Sequence, residues 1–429
     1  MSETNRTPTV DFDHNSAEHS VDPVASYRQL RKDAPVAWTE AWGGYWVLSG
    51  HDAVFDAARD DDTFSSARHE EFGVTGQAIT LPQKPMALHL PIELDPPESQ
   101  KYRSIMNKLI TPKQVRKILP MIDKYVDMFI DELIETGEAD FASLTGVPAI
   151  VTIDWLGMPM QDWRRHAKFH RDVLAEPLDS EAYRKATQEE MPYLVAQIEE
   201  AIQAHRENPT DEAISFIVQQ EIDGRPITDE EAFSMIELLI SGGVGTTASL
   251  TGQALVWISE HPEAKQQLLE NPDLMQTALE EFLRVFSPTQ ALSRTVMKDV
   301  EFHGVQLKRG DRALLSWSSA NRDLEDTKDN PDEVDLARSP NRHLAFGVGS
   351  HRCAGSHLAR PLARSIITKI LERMPDYKVD TDKAIRYERQ GVNTGYQTIP
   401  ATFTPGERVY KDESLSDFER AQENRAQAA

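Results

Sequence analysis

Phe346-Gly-Val-Gly-Ser-His-Arg-Cys-Ala-Gly355 surrounds the only cysteine of a 429-residue chain, Cys353, with three glycines, Gly347, Gly349 and Gly355. Glycines cost backbone entropy, so their density here implies unusual torsions or the close approach of something bulky. A helical run follows at once, His357-Leu-Ala-Arg-Pro-Leu-Ala-Arg-Ser-Ile-Ile367, and Pro361 is tolerated only in its first turns. A cysteine just ahead of a helix N-terminus has its thiolate favoured by free N–H groups and the helix dipole, and His351 and Arg352 add positive charge. A lone thiolate cannot make a zinc site without further Cys or His ligands close by. A porphyrin iron needs only one strong protein ligand.

A single cysteine allows no intrachain disulfide, which fits a reducing, cytoplasmic compartment. The charge of -24 argues against nucleic acid or an anionic membrane as the main partner. Met1 to Ser26 is polar, with no signal-peptide core, and no stretch elsewhere reads as long and uncharged enough to span a bilayer.

Working outward, Pro35–Glu40 and Tyr45–Ser49 flank Gly43-Gly44 and predict a β-hairpin. Gly73–Leu94 is loop-like. Glu263–Leu269, Leu274–Phe286 and Ala359–Met374 carry helical spacing, and short strands are expected at Val300–Leu307, Arg312–Ser316 and Thr398–Thr404. Thr228-Asp-Glu-Glu231 is a capping box, and the helix it opens should run to about Glu260. In its middle stands Ser241-Gly-Gly-Val-Gly-Thr-Thr247. Three interior glycines cost roughly 3 kcal/mol relative to alanine, which implies a close helix contact, a kink or room left for a ligand. With no lysine before the threonines, it is not a phosphate loop. The fold class is mostly α with a small β-rich portion, in one unit.

The pattern Phe346-x-x-Gly349-x-x-x-Cys353-x-Gly355 resembles the heme-binding signature of the cytochrome P-450 family. The resemblance spans about Asp22 to Gly406. It implies the cytochrome P-450 fold, a long central helix over the heme, and three parts: a flexible segment 1–21, a catalytic domain 22–406 and a polar tail 407–429. It implies heme b held by the Cys353 thiolate, dioxygen as co-substrate, and Phe346 packed beside the sulfur. Thiolate donation favours O–O cleavage. His351, Arg294 (in Leu292-Ser-Arg-Thr) and Arg103 (in Asp95-Pro-Pro-Glu-Ser-Gln-Lys-Tyr-Arg) would contact heme propionates. Ser99 stands where many relatives carry histidine.

Ser241–Thr247 then looks like the family's oxygen-binding helix. Gly242 and Gly243 would leave room over the heme, and Thr246 would supply the alcohol that helps deliver protons. The acid usually found before that threonine is absent, because Gly245 occupies its position. Glu281, Arg284 and Arg338 match the family's Glu-x-x-Arg motif and its third member, a structural triad. Family topology puts Ala87, His89, Leu238, Ser241, Gln290, Val392 and Asn393 in the substrate pocket, with Gln290, Asn393 or His89 as a polar contact. The loop Gly73–Leu94 has no Tyr or Trp, so the expected substrate is small and apolar, of terpenoid or cyclic type. Glu301–Gly310 looks closest to the camphor-monooxygenase branch. The basic residues Lys101, Arg103, Lys108, Lys113, Arg116 and Lys117, uninterrupted by acid, suggest docking of an acidic ferredoxin, itself reduced by a reductase. The resemblance leaves two other readings open, a peroxide-driven oxygenase and a heme-binding sensor.

Overall fold

Thr228 opens the helix on which the rest of the chain is assembled. Its hydroxyl accepts the Glu231 N–H (3.2 Å) and its own N–H donates to the Glu231 carboxylate (2.8 Å), so two otherwise orphaned donors are satisfied. The helix then runs unbroken over Asp229–Glu260. Helices Gly146–Leu156, Trp163–Ala175, Met191–Glu207, Met275–Phe286 and Ser356–Arg373 pack around it. The computed structural model describes residues 8–324 and 330–416.

Contrary to the sequence expectation, Asp229–Glu260 does reach the length and apolar character of a membrane span. The reason is its place in the fold, since 56% of its most apolar window is buried inside the protein. A helix surrounded by others is apolar on most of its faces.

The expected hairpin forms, with Val36 opposite Leu48 and Thr39 opposite Tyr45. It is one edge of a five-stranded sheet ordered Val36–Thr39, Tyr45–Leu48, Arg312–Ser316, Ala291–Val296, Phe64–Ser65. Strand Arg312–Ser316 runs parallel to Tyr45–Leu48 and antiparallel to Ala291–Val296, which brings Arg294 to the sheet centre opposite Ala313. The predicted strand Val300–Leu307 is a tight hairpin instead, Val300–Phe302 with Val305–Leu307. It turns at His303 (φ 48°) and Gly304 (φ 81°), where only glycine is free of steric cost. Thr398–Thr404 divides into Tyr396–Thr398 and Pro400–Thr402, which pair with different strands.

Both expected terminal segments are packed where they are described. Pro8 and Val10 exchange backbone bonds with Trp38, and Phe12, His14 and His19 are buried. At the other end the Val409 and Tyr410 amides donate to the Asp131 carboxylate (2.9 and 2.7 Å), and Leu415 is buried. Residues 1–7 and 417–429 of those segments lie outside the described residues.

Candidate functional site

The loop before helix Ser356–Arg373 is shaped by two left-handed glycines, Gly347 (φ 65°) and Gly349 (φ 78°). At Gly349 a side chain would also lie 2.4 Å from the Ala58 carbonyl oxygen, so glycine is required twice over. The Cys353 amide donates to the Phe346 carbonyl (2.7 Å), which closes the loop on itself. Cys353 is solvent-accessible by area, yet deep enough among protein atoms to be desolvated. Burial pushes its thiol up, against the lowering pull of the Gly355 N–H and the charges of Arg103, Arg352 and Arg360. Desolvation outweighs the helix start, and a metal that deprotonates a coordinating thiol outright removes that cost.

Two guanidiniums, Arg103 and Arg294, flank the His351 ring just ahead of Cys353, and Arg103 also acts on the sulfur. Arg103 reaches from helix Glu98–Leu109 to the Arg352 carbonyl. Arg294 is buried in the sheet and donates to the Ser293 carbonyl (2.8 Å). Its pKa is lowered to about 10 by burial, partly offset by Asp95 and Asp61. His351 falls to about 3 through burial and then the charges of Arg294 and Arg103. Its Nε2 is buried without a hydrogen-bond partner, and Asp61 stands 4.0 Å away. A crowded set of cations with an orphaned ring nitrogen is short of anionic charge. A thiol, two guanidiniums and that imidazole fit heme, whose iron would take the sulfur and whose propionates would answer the guanidiniums and the unpartnered ring nitrogen. Ser99, at the position of the frequent histidine, is buried with its amide on the Asp95 carbonyl (3.0 Å).

The three glycines of Ser241–Thr247 prove unlike one another. A side chain on Gly242 would meet nothing within 4 Å, and Gly242 is exposed in the middle of an otherwise well-buried helix. Gly243 lies against helix Gly146–Leu156, where a side chain would stand 3.0 Å from the Thr152 hydroxyl oxygen. Gly245 is filled from outside, because Leu174 Cδ1 of helix Trp163–Ala175 sits 2.1 Å from where its Cβ would be. The usual acid is thus missing for a packing reason that the sequence did not disclose. Thr246 donates its hydroxyl to the Gly242 carbonyl (2.9 Å).

The three triad residues meet as expected. Arg284 and Glu281 are fully buried and paired at 2.8 Å, and Arg338 Nε lies 3.1 Å from both Glu281 oxygens. Arg284 also donates to the Asn321, Pro331 and Glu333 carbonyls, which ties the helix to the segment leading into the cysteine loop. Burial alone would raise Glu281, but bonds from Arg284, the Asp335 amide and Arg338 hold it below the usual carboxylate range. Sequence reasoning missed its neighbour. Glu280 accepts from Arg360 (2.6 and 2.8 Å) and pairs with His343 (3.0 Å), and the Arg360 guanidinium lies 4.5 Å over the Phe346 ring. Burial raises Glu280, and these partners more than reverse it, to about 2. The acidic doublet Glu280-Glu281 was the available signal.

The predicted pocket residues are not gathered into one cavity. Val392 and Asn393 line a cavity of about 520 Å³ that includes Leu174. Ala87 lines another of about 530 Å³ and Gln290 a third of about 210 Å³. The Gln290 amide nitrogen is committed to the Phe286 and Ser287 carbonyls (3.0 and 2.6 Å), which leaves only its oxygen to accept from a ligand. His89 is buried, paired with Glu237 of the central helix and bonded to Gln77 (3.1 Å). Ser241 donates to the Leu238 carbonyl (3.3 Å), and both residues are half-buried. Of the predicted basic run, Lys101 pairs with Glu98 and Asp223, and Arg103 turns inward. Lys108, Lys113, Arg116 and Lys117 remain exposed.

Comparison with known proteins agrees with this geometry. The family description "Cytochrome P-450" matches residues 179–391. A steroid C26-monooxygenase of Mycobacterium tuberculosis is 31% identical over 405 residues, 93% of this chain and 98% of that protein. A methyl-branched lipid omega-hydroxylase of the same organism is 31% identical over 399 residues, 88% of this chain and 90% of that protein. Among solved structures, CYP268A2 of Mycobacterium marinum in complex with pseudoionone superposes with a TM-score of 0.83 at 25% identity, covering 93% of this chain and all of that one.

Proposed function

Because this chain belongs to the cytochrome P-450 family and is a heme-thiolate monooxygenase, we propose that it hydroxylates a compact apolar substrate of terpenoid or cyclic type, in the cytoplasm, with electrons from a ferredoxin. The observation that carries the reading is the convergence of Arg103 and Arg294 on the unpartnered ring of His351, in the loop that presents Cys353. Heme bound there supplies dioxygen activation, and one oxygen atom enters a C–H bond while the other leaves as water. Cys353 would hold the iron through its sulfur, Arg103, Arg294 and His351 would hold the propionates, and Glu281, Arg284 and Arg338 fix the segment that carries the cysteine.

Gly242 leaves space in which a substrate would meet oxygen. Thr246, whose hydroxyl is bonded to the Gly242 carbonyl, would hold a proton for that oxygen. Gly245 and the Leu174 methyl beside it offer no carboxyl to pair with Thr246, so the proton would come from elsewhere than the usual acid. The steroid and lipid relatives and the pseudoionone complex support an apolar ligand. Exposed Lys108, Lys113, Arg116 and Lys117 support an acidic electron donor, because the helix that carries three of them, Pro112–Asp131, packs on the helix after the cysteine loop.

The test is turnover of a terpenoid and steroid panel by holoenzyme with a ferredoxin and its reductase. Hydroxylated product dependent on reduced ferredoxin is expected. Glycine in place of the usual acid at position 245 favours one rival, peroxide-driven oxygenation. Equal turnover with hydrogen peroxide alone would select that rival.

A further inference from the structure

The cavity of about 520 Å³ lies between Leu81–Lys84, the end of helix Trp163–Ala175 and segment Arg389–Asn393. Exposed apolar Trp42 and Leu178 mark its rim. Leu174 is in its wall, and the same Leu174 methyl fills the place of a side chain at Gly245. The cavity thus runs from the surface to within one side chain of the turn that carries Thr246. Its size falls in the ordinary range for small-molecule sites.

One cation in that wall has no acidic partner. Lys84 donates to the Val173 carbonyl (3.3 Å), and among the described residues no carboxylate pairs with it. Burial alone lowers its pKa to about 8. The wall's own acids are engaged or at the rim. Asp13 accepts from the Asn15 amide and the Trp42 indole, Glu176 from Gln397, and Asp179 is exposed. Arg389, the other cation, donates to the Asn15 carbonyl (3.1 Å). Lys84 is half-buried, and a partly desolvated ammonium held only by a carbonyl is costly unless an anion joins it. Leu81, Val173, Leu174 and Val392 give the wall its apolar surface.

We propose that Lys84 binds a carboxylate and that the substrate class is an apolar molecule bearing one carboxylate group. This rests on the monooxygenase reading above and names its substrate class. The acid is held at Lys84 while its apolar part extends past Leu174 toward Thr246.

Two acids, dodecanoic and geranic, are titrated against holoenzyme beside their methyl esters, with the heme absorption shift as readout. At least one acid should bind about tenfold tighter than its ester, the loss of one charge-assisted contact. Lys84→Gln should abolish that preference without weakening the ester, and Lys84→Arg should keep it. Acid and ester binding equally in the wild type, neither binding, or Lys84→Gln weakening both alike overturns the proposal. A second readout is independent of heme: the acid, and not the ester, should protect Lys84 from acetic anhydride, scored by mass spectrometry. Protection in a protein lacking a thiolate-type heme spectrum would sink the monooxygenase reading and spare the carboxylate site.

Discussion

The cysteine loop and the middle of the central helix are both rich in glycine, and they use it for opposite purposes. In the loop, Gly347 and Gly349 supply left-handed torsions, so the backbone can turn back and present Cys353. In the helix the torsions stay helical, and the missing side chain is what matters. There Gly242 leaves space, Gly243 admits a neighbouring helix and Gly245 admits the side chain of Leu174. The same residue type therefore carries two different messages, and only local structure separates torsion from volume.

The sharpest way to break this contrast is Gly349→Ala. A left-handed torsion and a backbone oxygen 2.4 Å from the new Cβ act together. The expected loss is at least about 2 kcal/mol in denaturant unfolding, with poor heme incorporation. Gly245→Asp comes next. It restores the family acid but must displace Leu174, at a cost of about 1–3 kcal/mol. Alone it should not raise product formed per electron consumed. Combined with Leu174→Ala it should, and a rise in the single variant would mean that space is not the constraint.

Gly242→Ala probes the open member. It should gain up to about 1 kcal/mol in helix stability, because nothing stands in its way. It should weaken substrate binding measured by heme absorption, and unchanged affinity would place the substrate elsewhere. The smallest effect is confined to acid. Glu280 is held at about 2 in the folded protein against an ordinary 4.5. Its contribution is complete above pH 4.5 and is lost as pH falls through about 2. Glu280→Gln should flatten that part of the stability profile measured by urea unfolding.

Much of this arrangement was legible in the sequence. The capping box at Thr228 gave the helix start, and the apolar run gave its end at Glu260. The cysteine signature located the loop, and Glu281, Arg284 and Arg338 met as the resemblance implied. These features are local, or carried by motifs whose spacing is itself the information. What stayed hidden was non-local. Nothing near Gly245 announces that Leu174, about seventy residues earlier, fills its space. Nothing near Gln290 shows that its amide folds back on its own helix end. The Lys84 ammonium reads as an ordinary surface charge until the fold closes over it.

The most direct measurement is the absorption spectrum of the purified, reduced holoenzyme under carbon monoxide, taken beside Cys353→His. The wild type should show the red-shifted band of a thiolate-ligated heme, and the variant should lose it while retaining porphyrin. A wild-type spectrum of the imidazole-ligated kind, unchanged by the substitution, would contradict the account.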